Sequence, residues 1–283
     1  MSYANFIPNV YIAEIFKELR RRCVFVDGTY QKYEGKVKRL GESVTFTGIG
    51  KPTAHTIGRK DRYGDISSAE VLADSSIVMT INKLTYVNYE ISDIDEQQSI
   101  AQIHSAANDE KTEVFANELD KCVSDLAKGT DVKHLLTNSG NAYEIASSNV
   151  LDVIDAAIER LYENDVARDT YVEIIIPPFF YTALKKAYVS LDTDNSKMLL
   201  NGKVGRYGNI VVKMSNNVAV DSSGNSYVQV RTKRAIGFAK PFAKAEAYRP
   251  QGKLFVDAVK AGILYDAKII RPNELVVIKC KKA

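Results

Sequence analysis

The sequence predicts an α+β chain organised around one long helix, and three observations carry that prediction. The first is a stretch from Ile94 to Lys128 free of proline and glycine, with apolar residues recurring every three or four positions. The second is a pair of β-type runs, residues 33–47 and 77–91, joined by about thirty residues rich in glycine and charge. The third is a set of apolar and alternating runs between Phe255 and Cys280, too late in the chain to be the hairpin's local neighbours. They can return beside the long helix and make it part of a discontinuous domain.

Taken in order, residues 1–27 place Pro8 at a first helical position, with Tyr11, Ile12, Ile15, Phe16 and Leu19 at helical spacing. This predicts a short amphipathic arm. Arg20, Arg21 and Arg22 close it as favourable cations at a helix C-terminus, too few to make a nucleic-acid patch. In the hairpin, Val37, Val44, Phe46, Ile77, Met79 and Ile81 are the β-type residues, and alternation in the second arm shifts phase between Ile81 and Leu84 as a bulge would require. Each arm could reach roughly 50 Å. The connection runs from Gly48 through Lys51, Pro52, Gly58, Arg59, Lys60, Arg62 and Gly64 to Ser76, and residues 30–63 hold eight Lys or Arg against three Asp or Glu. A projecting, locally basic hairpin with little core of its own suits an arm lying on a neighbouring subunit, and Lys51, Arg59, Lys60 and Arg62 are the candidate contact residues.

In the long helix, Ile100, Ile103, Ala107, Val114, Phe115, Leu119, Cys122, Val123 and Leu126 form the apolar stripe, with Glu110, Lys111, Asp120 and Lys121 opposite. Ser92 or Asp93 can cap its start, Asp95 and Glu96 suit its first turn, and Lys128 with Gly129 supplies a cation and a left-handed stop. Thirty-five such residues span roughly 50 Å. Residues 130–146 read as irregular, and Ser148 caps a second helix that buries Leu151, Ile154, Ile158 and Leu161. Tyr171 to Ile176 is a short strand, ended by Pro177 and Pro178, which begin a helix carrying Phe180, Leu184, Ala187 and Tyr188. After a polar loop at 191–208 come strands at 209–214, 227–231, 235–238 and 244–248. The middle of the chain is thus a mixed α/β unit.

The totals set bounds on function. A chain of 283 residues, 45% apolar, can build a sizeable core, and a formal net charge of +3 neither demands nor excludes an anionic partner. Cys23, Cys122 and Cys280 lie far apart without a C-x-x-C pair, which argues against a disulfide framework and a zinc site. No signal sequence or membrane span is visible, so a soluble, unsecreted chain is expected. His55, His104 and His134 are the only histidines and none pairs at metal-ligand spacing. Cys122 with His134 is the single nucleophile–base pairing to consider. Gly50-Lys51 fails as a phosphate loop because Thr45 and Pro52 stand where glycine and Ser or Thr are needed, and Lys197 breaks a calcium-loop reading of Asp192, Asp194 and Ser196. No catalytic set, cofactor or metal is expected.

The run Gly205-Arg206-Tyr207-Gly208-Asn209-Ile210, continuing to Ser215-Asn216-Asn217, resembles tailed-bacteriophage major capsid proteins of the Hong Kong 97 type. So do Ala235-Ile236-Gly237-Phe238-Ala239, Ala245-Glu246-Ala247-Tyr248-Arg249-Pro250, and Phe255-Val256-Asp257-Ala258-Val259-Lys260 leading to Ala267-Lys268 and Arg271-Pro272. The order of elements agrees over essentially the whole chain. The resemblance implies an N-terminal arm (1–27), an extended loop (28–91), a peripheral domain with a spine helix (92–129 and 253–283), and a mixed α/β axial domain (130–252). It further implies a structural subunit, not an enzyme, that assembles with itself as pentamers and hexamers into an icosahedral head around double-stranded DNA. Its place is the virion capsid, built in the host bacterial cytoplasm. The chain enters the arm almost at Met1, so a separate scaffolding protein is expected, together with a portal, and no covalent crosslinking between subunits. An encapsulin-like nanocompartment shell is the alternative, followed by a cytoplasmic enzyme using Cys122 and His134.

Overall fold

The computed structural model describes residues 23–32, 41–49, 74–92, 103–166, 170–190, 203–207, 210–248, 250–252 and 256–283. Their architecture is mixed α and β: three sheets and three helices. Strands β1 (Ser43–Ile49) and β2 (Asp74–Thr80) pair antiparallel, from Ser43 opposite Thr80 to Ile49 opposite Asp74. Val44, Phe46, Met79 and Ile81 bury against Ala239 and Leu264 in a small core of their own. The expected arm at 77–91 is two strands. The amides of Gly41 and Ile81 bond to Ile81 and Glu42 carbonyls, the Asn82 amide turns to Asp266, and β3 (Lys83–Ser92) leaves for another sheet. A strand break, not a bulge, produces the phase shift.

Strand β3 is antiparallel to β11 (Val256–Ile269), which is antiparallel to β10 (Ile236–Tyr248). The predicted strands at 235–238 and 244–248 are one, with its register shifting between Ala239 and Phe242, where Pro241 has no N–H for the ladder. The long helix α1 is described over Ile103–Asp125, followed by a 3-10 turn at Leu126–Lys128. The proposed caps Ser92 and Asp93 do not start it within the described residues: Ser92 ends β3 and Asp93 lies outside them. Gly129 is extended, at φ −72 and ψ 160, not left-handed.

The largest sheet runs β4 (His134–Leu136), β12 (Leu275–Lys282), β9 (Ser226–Thr232), β6 (Val172–Ile176), β8 (Ile210–Met214), β7 (Lys203–Tyr207), with β5 (Tyr143–Ile145) also pairing β12. Strands β4 and β5 fall where irregular chain was expected. Three-residue strands have no periodicity to read, and only the distant β12 reveals them. Helix α2 (Val150–Glu163) begins after Asn149, not Ser148. Asn149 braces the turn before it, accepting from the Ala146 amide at 2.9 Å. Helix α3 (Pro178–Ser190) starts at Pro178 as the sequence predicts.

Alternation along the strands gives this sheet two working faces. Val172, Ile174, Ile176, Val228, Val230, Val276 and Ile278 meet Ile154, Leu161, Phe180 and Leu184 of α2 and α3. On the other face Ile175, Leu275 and Val277 share a core with Phe115, Leu119 and Val123 of α1 and with Ile263 and Tyr265 of β11. The C-terminal strands therefore divide, β11 to the three-stranded sheet and β12 to the large one. No helix among the described residues is long and apolar enough to cross a membrane.

Candidate functional site

The helix face predicted to be solvated is partly covered. Asp120 and Lys111 are buried, whereas Val114, assigned to the apolar stripe, is 47% exposed. Residues 23–30 explain Asp120. Its carboxylate accepts backbone N–H bonds from Val24 at 2.8 Å, Phe25 at 3.0 Å and Val26 at 3.2 Å, holding the start of a 3-10 turn at Val26–Gly28. Phe25 is fully buried in the core beneath α1. Tyr30 continues the anchorage, its amide donating to Ile236 O at 2.8 Å and its carbonyl accepting from Phe238 at 3.0 Å.

The sheet meets this segment with charge. Arg231 of β9 donates Nε to Glu173 Oε1 of β6 at 3.0 Å and Nη2 to the Phe25 carbonyl, with its guanidinium 5.8 Å from the Phe25 ring centroid. Glu173 Oε2 also holds Lys213 Nζ of β8 at 2.7 Å, and Lys213 reaches Asp27 at 3.3 Å. Strand order brings these groups together, since β6 lies between β9 and β8 and sets Glu173 opposite Arg231. A Cβ on Gly28 would lie 1.6 Å from Glu173 Oε1, and Glu173 has nowhere to retreat because both its oxygens are engaged. Burial pushes the Asp120 carboxyl up to about 6, against the three amides and Arg231, which pull it down. For Lys213, burial pulls the pKa down, but Glu173, Tyr171 and Asp27 outweigh it and leave it above the ordinary lysine value.

The three-stranded sheet has an inner face on α1 and an outer face that β1 and β2 cover at Ala239 and Leu264 and that is more exposed further along. Ala243, Ala245, Ala261, Ile263 and Val87 belong to the inner core. Outside, Tyr86 is 74% exposed and Leu84 51%, and both pack beside Gly262, where an added Cβ would lie 3.6 Å from Leu84 and 3.8 Å from Tyr86. Further along the same face Glu246 pairs with Lys244 at 3.4 Å and Lys260 at 3.3 Å, and Tyr248 donates to Asn88 at 3.2 Å. Exposed pairs of this kind set register more than stability.

Of the residues singled out in the sequence, Lys51, Arg59, Lys60 and Arg62 lie outside the described residues. Cys122 and His134 are described, and no hydrogen bond joins them. The Cys122 thiol accepts from Lys83 Nζ at 3.1 Å, and burial raises its pKa although Lys83 opposes this. His134 is held low by burial and by Arg160, and its Nε2 makes no hydrogen bond. A buried thiol above its ordinary range is a slow nucleophile at neutral pH. No group of three or more His, Cys, Asp or Glu among the described residues could hold a metal ion. The sequence reading missed Glu173, Lys213 and Arg231, for which a signal existed. Each is a charge set inside a strand run that is otherwise largely apolar.

No protein-family model matches the chain, and no curated protein matches its sequence. The three-dimensional likenesses are extensive. A solved structure of Mycobacterium phage Che8 matches with a TM-score of 0.67 at 19% identity, over 90% of this chain and 90% of that one. The capsid structure of the cyanophage P-SCSP1u matches with a TM-score of 0.67 at 15% identity, over 92% and 89%. The fold is that of a phage capsid subunit. The capsid fold also aligns with a virus-like particle from Pyrococcus furiosus, at a TM-score of 0.58 and 12% identity, over 98% of this chain and 100% of that one. Within the capsid fold, the buried charges are engaged with one another and with residues 23–30. They fix where residues 23–30 run.

Proposed function

We propose that this chain is the major capsid protein of a tailed bacteriophage, assembling as pentamers and hexamers into the icosahedral shell that encloses double-stranded DNA. The observation that carries the reading is a capsid likeness spanning nine tenths of both chains. In this reading α1 is the spine helix of a peripheral domain formed by 92–129 and 253–283, and 130–252 form the axial domain. Strands β10 and β12 are the elements by which the two exchange partners. Residues 1–27 are the N-terminal arm and 28–91 the extended loop, whose Lys51, Arg59, Lys60 and Arg62 meet acidic groups of a neighbouring subunit. A scaffolding protein and a portal complete the assembly in the bacterial cytoplasm, and DNA contact is with the backbone, without sequence reading. Many modest contacts sum to a stable shell while letting misplaced subunits leave. The chain acts structurally and catalyses nothing.

The likeness to a virus-like particle supports a second reading, an encapsulin-like nanocompartment shell. Particles purified from cells separate the two. A phage head protects double-stranded DNA from nuclease, whereas a nanocompartment carries a protein cargo and no DNA. Reversing Arg59, Lys60 and Arg62 to Glu impairs assembly with little effect on subunit unfolding if the loop contacts a neighbour. Equal loss of both places the loop in the subunit's own core.

A further inference from the structure

All three cysteines are free and buried, but only one has an amine against its sulfur among the described residues. Cys23 donates weakly to the Ala116 carbonyl at 3.9 Å, and burial pushes the Cys280 thiol up to about 12. Cys122 instead lies 3.1 Å from Lys83 Nζ, close to the contact distance of nitrogen and sulfur. Lys83 opens β3 and Cys122 sits near the end of α1, separated by 39 positions in sequence. Asp266 Oδ1, 4.0 Å from the same ammonium, keeps Lys83 over the sulfur, and the lysine side chain is 47% exposed. Small oxidants can therefore approach from the lysine side, although the thiol itself is covered.

We propose that Lys83 and Cys122 form an oxidative covalent crosslink that staples the start of β3 to the long helix within one subunit. Hydrogen peroxide is the oxidant. One oxygen passes to Sγ, giving a sulfenic acid and water; the neutral Lys83 amine then attacks sulfur, the S–O bond breaks, and hydroxide leaves with the amine proton as a second water. Thiol, amine and one peroxide thus become a sulfenamide and two waters, with sulfur giving up the two electrons that peroxide takes. Burial raises the Cys122 thiol against the pull of Lys83, while Cys122 and Asp266 raise Lys83 against the effect of its own burial. Both reactive forms grow as pH rises, so the link forms slowly at neutral pH and faster in alkali. The inference stands independently of the capsid reading.

Peptide mass spectrometry of the full chain after peroxide treatment at pH 7 and pH 9 tests it. The expected result is a joined peptide pair containing Lys83 and Cys122, lighter than the two peptides by two hydrogens, more abundant at pH 9 and released by dithiothreitol. Lys83→Arg keeps the cation and should abolish the pair, leaving a sulfenic acid that dimedone traps; Cys122→Ala should abolish both. Cys122 found unmodified, or oxidised to sulfenic or sulfinic acid without the joined pair in the unsubstituted protein, overturns the proposal.

Discussion

The two faces of the seven-stranded sheet come from the same strands and do different work. Toward α2 and α3, β6 presents Val172, Ile174 and Ile176, and β9 presents Val228 and Val230. Toward α1 the same strands present Glu173, Gln229 and Arg231, with Lys213 beside them, and all four are buried. The apolar face is a core that similar shapes could fill. The charged face favours one arrangement, because its guanidinium and ammonium gain the Phe25 carbonyl and Asp27 as partners only when residues 23–30 lie across them. In this fold the buried charge selects the path of a chain segment, at some cost in desolvation.

Substitutions on either face can break that contrast. Arg231→Met, which keeps volume but leaves Lys213 as the one cation on Glu173 among the described residues, should cost about 3–5 kcal/mol in guanidinium unfolding. A near-neutral result would reduce the charged face to packing. Asp120 supplies a pH signature. Its folded pKa of about 6 exceeds the ordinary value of 3.8, so its contribution is fully present below the unfolded value and lost as pH rises through 6. Stability of the unsubstituted protein relative to Asp120→Asn should fall by a few kcal/mol between pH 4 and pH 7, measured by urea unfolding.

On the apolar face, Leu161→Ala should cost about 2–3 kcal/mol with no dependence on pH in that window. Gly28→Ala should cost about 2 kcal/mol, because the new methyl meets a carboxylate that two cations hold still. The smallest effect belongs to the outer face of β3. Tyr86→Ser should change subunit stability by no more than about 0.5 kcal/mol in the same unfolding assay, since the ring is mostly in solvent.

What the sequence made legible follows the same division. Elements with a self-contained pattern were readable: the proline-headed start of α3, the five-residue run of β6, and the stripe of Phe115, Leu119, Cys122 and Val123. Features defined by a distant partner were not. Strands β4 and β5 exist by virtue of β12, some 140 residues later. The burial of Asp120 depends on residues about 95 positions earlier, and helical periodicity assigns a charged residue to solvent unless something arrives to cover it. The separation of β2 from β3 depends on Asp266, which captures the Asn82 amide. The candidate loop contacts Lys51, Arg59, Lys60 and Arg62 lie outside the described residues and rest on charge alone, which carries no periodicity.

If residues 28–91 lie on a neighbouring subunit as proposed, the subunit should not remain alone. Cryo-electron microscopy of the purified full chain under assembly conditions tests this most directly. Closed icosahedral shells of pentamers and hexamers, with residues 28–91 lying over an adjacent subunit, are the predicted result. A folded monomer that persists under every such condition would contradict it.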